Sequence, residues 1–136
     1  MAKIALNTPR TIPVGLTTTH VGIYTCPIGV SAYVLLMQVS NVSVGASAGT
    51  YQVTATFERP TGQTGLGVSL IERTIGKSVD VPVNDAVNLI PDGRLVLEND
   101  ARRSTINRTG GDTIKISANS ENKLELLLSV LETAKQ

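Results

Sequence analysis

Between residues 113 and 118, Ile114 and Ile116 alternate with Lys115 and Ser117, the two-residue period of a strand with one buried and one wet face. Runs rich in Val, Ile, Thr and Tyr recur along the whole chain. They are separated by turn signals: Pro27 and Gly29, Gly45 through Gly49, Pro60 and Gly62, Gly65 and Gly67, Gly76, Pro91 with Asp92-Gly93, and Gly110-Gly111. β-Branched and aromatic residues fit a pleated, half-buried surface, and Gly, Pro, Asn and Asp mark its turns. The pattern predicts strands over 11–18, 20–26, 32–41, 50–58, 68–74, 77–82, 94–98, 113–118 and 123–131. Many short strands with close turns predict an all-β fold, an antiparallel β-sandwich of jelly-roll or Ig-like type.

The segment 121–136 fits two periods. Leu124, Leu127, Leu128 and Leu131 lie at helical spacing, whereas Leu124, Leu126, Leu128 and Val130 lie on one face of a strand. A lone helix here would face no second helix to bury its stripe. The preceding Asn119, Ser120 and Asn122 are turn formers. The segment is therefore expected to be a strand, the second arm of a hairpin with 113–118. Its other row, Leu127 and Leu131, then needs cover from another layer or another subunit.

Residues 1–20 are expected to form an N-terminal arm, with the sandwich domain spanning 21–136. Pro9, Pro13 and Gly15 interrupt regular pairing there, while Ile4, Leu6, Ile12, Val14 and Leu16 stay apolar. Such an arm either crosses to a neighbour's surface or lies as an edge strand on its own domain. The five apolar residues are candidate interface positions.

At 136 residues the chain is long enough for one domain to bury roughly 68% of its unfolded surface. Hydrophobic residues make up 41% and charged residues 17%, with a formal net charge of +1. That balance argues against disorder and gives no field to attract nucleic acid or anionic lipid. Aromatic residues are 3%, too few for stacking platforms that hold sugars or single-stranded bases. One cysteine, Cys26, rules out an internal disulfide and a multi-thiolate zinc site and suits a reducing compartment. The N-terminus lacks the apolar core of a signal peptide, and no uninterrupted apolar run approaches a membrane span.

Catalytic chemistry has little material. His20 and Cys26, on one extended strand, would stand about 20 Å apart and form no dyad. Gly76-Lys77-Ser78 resembles the end of a phosphate loop, but Ile71 stands where its first glycine belongs and a strand pattern follows. The glycines of 62–67 are spaced in the wrong order for a dinucleotide loop and are read as a loop tip. Asp80, Asp85, Asp92, Asp100 and Asp112 are scattered, without the dense array of a calcium loop. The expectation is a non-enzyme with no cofactor and no metal. Arg102, Arg103 and Arg108 fall in a polar loop, where guanidinium groups suit bidentate contact with a partner's carboxylate or phosphate.

Three stretches carry a resemblance: 23–42, 92–104 and 110–134. Tyr24, Thr25, Pro27, Gly29 and Asn41, then Gly93 to Glu98, Gly111-Asp112, and Ser129 to Glu132 match a turn-and-strand pattern similar to that of small β-sandwich virion proteins of tailed bacteriophages. The likeness covers about half of the chain. It departs at residues 99–110, an insertion between strand and turn that fits an added contact surface. The resemblance implies a virion structural protein, assembled in the host cytoplasm, and first of all a capsid decoration or cement protein. A neck, tail or fiber attachment module is the alternative. Its expected partners are its own copies, as a symmetric homo-oligomer with a trimer put first, and the major capsid protein or another virion protein, with neither nucleic acid nor membrane.

Overall fold

The computed structural model describes residues 7–64, 67–91, 95–99 and 111–134. Among the described residues nine strands follow one another: β1 Asn7–Gly15, β2 Val21–Thr25, β3 Val30–Asn41, β4 Tyr51–Thr64, β5 Gly67–Val81, β6 Ala86–Asn88, β7 Leu95–Glu98, β8 Thr113–Ala118 and β9 Leu124–Ala134. A single 3-10 turn, Gly45–Ser47, lies between β3 and β4. Sheet A has the order β1-β9-β3-β6, with β7 also on β3, and sheet B the order β2-β8-β4-β5. All pairings are antiparallel.

The topology follows one rule. Read as a long ribbon with its tip at the β4–β5 hairpin, the chain pairs β1 with β9, β2 with β8, β3 with β6 and β7, and β4 with β5. Rolling that ribbon brings β9 beside β3 and β8 beside β4, which closes two sheets over one core. This nested wrapping is a jelly roll rather than an Ig-like sandwich. The core lies between the sheets: Val34, Met37, Val39, Leu124, Leu126, Leu128 and Val130 from sheet A meet Val53, Ala55, Ile114 and Ile116 from sheet B.

Residues 124–134 are a strand, with Leu124, Leu126, Leu128 and Val130 buried. The expected hairpin with β8 is corrected, since β8 lies in sheet B and β9 in sheet A. The turn formers between them carry the chain across. The Asn119 amide donates to Gln52 O, Asn122 takes a left-handed φ of 58°, and its amide donates to Leu16 O. Two predicted strands, 68–74 and 77–82, are one continuous β5. Its irregular pairing around Gly76 and the left-handed Ser78, whose amide donates to Thr54 Oγ1, break the pattern without ending the strand. The short β6 went unpredicted.

Residues 7–15 of the arm are an edge strand of the chain's own sheet A, in register from Asn7↔Thr133 to Gly15↔Glu125. At their end the Leu16 amide donates to Leu124 O in sheet A, and Thr17 O accepts from Ala118 in sheet B, so this corner is tied to both layers.

Candidate functional site

Three residues that carry the motif likeness, Gly29, Asn41 and Tyr24, hold turns and strand ends in place. Gly29 has a φ of 77° in the turn before β3, a conformation glycine adopts without Cβ strain. Asn41, buried at the end of β3, donates to Gly49 O at 2.7 Å and Val81 O at 2.8 Å and accepts from the Ser43 amide and hydroxyl. The Tyr24 hydroxyl donates to Glu132 at 2.6 Å. Burial first, and the Glu132 carboxylate second, push its phenol well above the usual tyrosine range.

His20 and Cys26 serve separate structural roles. The His20 ring nitrogens lie 3.0 Å from Ser117 Oγ and 2.8 Å from Thr56 Oγ1. Cys26 is fully buried and its thiol faces the Val30 and Leu97 carbonyls. Gly76-Lys77-Ser78 lies within β5. Among the described residues no cluster of three His, Cys, Asp or Glu side chains is placed to hold a metal ion. A cavity of about 420 Å³ is lined by Phe57, Ile75, Leu89, Ile90, Pro91 and Leu95, with Arg73 and Thr74 its polar members. It presents no paired acid and base.

What distinguishes the molecule is the outer face of sheet A. Residues that pair across strands share a face, so the register places Pro9, Leu131, Tyr33 and Val96 in one row and Pro13, Leu127, Gln38 and Asn88 in another. Thr11, Ser129 and Leu36 form the row between them. These three rows contain no charge. Glu98 and Glu125 stand in the flanking rows at opposite ends of the face. Leu35 is exposed by 53%, Tyr33 by 43%, Leu127 by 39% and Val96 by 37%. Exposed apolar side chains are ordinary when scattered; here they adjoin.

The outer face of sheet B differs. Thr25 and Thr113, Ser117 and Thr56 carry hydroxyls, and Lys115 pairs with Glu58 at 2.7 Å. That hydrogen bond holds the lysine ammonium above its ordinary range.

The expected interface residues are distributed unevenly. Ile12, Val14 and Leu16 turn inward: Leu16 belongs to the core, and Ile12 and Val14 pack against it. The reason is register: β1 pairs with β9, and its even positions share the face of Leu126, Leu128 and Val130. Ile4, Leu6, Arg102, Arg103 and Arg108 lie outside the described residues. Tyr33, Leu35 and Val96 were missed as exposed positions. For Tyr33 and Leu35 the signal was the unbroken apolar run from Ala32 to Met37, which no strict alternation can bury.

No family model matches the chain, and no curated protein matches it. Among solved structures, a chain described with the words "Bacillus endospore appendages form a novel family of disulfide-linked pili" aligns over 100% of this chain and 98% of its own, with a TM-score of 0.45 and 14% identity. A likeness of that degree lends no argument about function.

Proposed function

We propose that this chain is a structural subunit of a tailed-phage particle, a capsid decoration or cement protein that works by surface burial rather than by reaction. The observation that supports this reading is the run of charge-free central rows on the outer face of sheet A, apolar at Tyr33, Leu35, Val96, Leu127 and Leu131 and opposed by a hydroxyl-rich, charged face on sheet B. A sandwich needs one buried face per sheet, and a second apolar face is costly in water unless something covers it. Many copies, each covering such a face against a neighbour, add up weak contacts into a stable shell. The motif likeness to small virion proteins supports the same place.

The test is copy number in purified particles, by quantitative mass spectrometry and image reconstruction. Hundreds of copies on the head are expected for decoration. A dozen or a few dozen at the neck or tail would move the reading to the attachment module, and absence from the particle would overturn it.

A further inference from the structure

Resting on the reading above, we propose that the partner of the sheet A outer face is a second copy of this chain, stacked face to face about a twofold axis. In an isologous contact each residue meets its own kind of surface, so any charge near the centre meets like charge. The three central rows, from Pro9–Leu131–Tyr33–Val96 to Pro13–Leu127–Gln38–Asn88, carry none, and Glu98 and Glu125 are set outside them. A patch shaped for an oppositely charged partner would carry charge; this one is compatible with itself.

Size permits it. Strands β1, β9 and β3, about 4.8 Å apart and spanning about nine paired residues at ~3.3 Å each, present roughly 430 Å², and the short β6 and β7 beside them add about 110 Å². Stacking two such faces, flanking rows included, covers on the order of 1,000 Å², the threshold for a specific interface.

The sheet edge offers no competing route. The Leu16 amide donates to Leu124 O, and alternation along β1 turns the even amides toward β9 and the odd ones outward. Two of the outward positions are Pro9 and Pro13, which have no N–H to give. An added strand finds a broken ladder there. The opposite edge of sheet A is built from the short β6 and β7.

The experiment is analytical ultracentrifugation of the full chain at tens of micromolar, with Tyr33→Asp, Leu127→Asp and, on the opposite face, Thr25→Asp. The expected result is a dimer for the unaltered chain and for Thr25→Asp. Tyr33→Asp and Leu127→Asp should weaken dimerisation at least tenfold, with far-UV circular dichroism unchanged in all. A monomer, a trimer, or an oligomer that both face substitutions leave intact overturns the face-to-face pairing. That failure is distinct from failure of the particle reading, which is decided by copy number in virions alone.

Discussion

Arg59 grips Asp112 with two nitrogens: Nη2 lies 2.6 Å from Oδ2, and Nε lies 3.0 Å and 3.2 Å from the two carboxylate oxygens. Asp112 is fully buried and also accepts the Glu98 amide. Arg59 stands one residue beyond the last β4 position paired to β8, Glu58↔Thr113, and its guanidinium carbon lies 5.3 Å from the ring centre of Phe57. The ion pair therefore fastens the root of the projecting β4–β5 ribbon to the start of β8. The carboxylate holds the guanidinium above its ordinary range.

Removing Arg59 strands a buried carboxylate. Because the arginine is partly exposed, Arg59→Ala is expected to cost about 2–3 kcal/mol, below the figure for a fully interior pair. Arg59→Lys should recover only part of this, since an ammonium cannot reproduce the forked contact. Urea unfolding measures both.

Gly111 has no room for a side chain. A Cβ there would stand 2.2 Å from the backbone oxygen of Cys26 and 2.8 Å from Asn99 Nδ2. The first neighbour is main chain, itself held by the Cys26 amide bond to Asp112 O and the Asn99 bond to Cys26 O. Gly111→Ala is expected to lower stability by at least about 3 kcal/mol, seen as a fall in Tm or as loss of soluble protein.

Asn41 fastens β3 to two other segments. Asn41→Ala removes the side chain that the Gly49 and Val81 carbonyls and the Ser43 amide all bond, leaving Gly49 O only the longer contact from the Ser43 hydroxyl. The expected loss is about 2–4 kcal/mol. Asn41→Asp should lose stability as well, because a carboxylate cannot donate to the two carbonyls. Chemical denaturation of both variants checks this.

Tyr24 predicts an alkaline limit. Its folded value is raised, so the native state keeps the phenolic proton where the unfolded chain, titrating near pH ~10, releases it. Its contribution is fully present below about pH 10 and is lost as pH rises beyond. Tyr24→Phe should cost about 1 kcal/mol at neutral pH through the lost bond to Glu132 and should flatten the decline above about pH 10. Lys115, also raised, drives a decline in both proteins, so the difference between their stability curves isolates Tyr24.

Pro9 and Pro13 make a prediction about solubility. The double substitution Pro9→Thr with Pro13→Thr returns two donors to the outward edge of β1. The expected outcome is concentration-dependent aggregation, followed by light scattering, from a protein whose circular dichroism is unchanged.

The sandwich was legible because alternation survives wherever one face is buried and the other wet, as along β8 and β9. It failed at β3, where an irregularity between Val34 and Leu36 shifts the register. The buried positions there change from Ala32 and Val34 to Met37, Val39 and Asn41. A bulge is a backbone event that residue type scarcely announces. The β8–β9 hairpin was misread for a related reason: Asn and Ser mark a turn without saying whether it returns to the same sheet or crosses to the other. Of the candidate interface, the outward row of Leu127 and Leu131 was visible as leucines in need of cover. That Tyr33 and Val96 adjoin that row was not, because it depends on pairings between distant strands.

Sheet A has one further consequence, for synthesis. Its interior strands are β9 and β3; β9 lies between β1 and β3, and Arg10 meets Glu132 across a separation of 122 residues. As the ribosome works, the first and third strands exist long before the one that joins them, and their apolar sides stay open until it emerges. Completion of the fold thus waits on a single late segment, and a nonsense codon just before residue 124 would leave a gap at the middle of the sheet where most truncations trim a border.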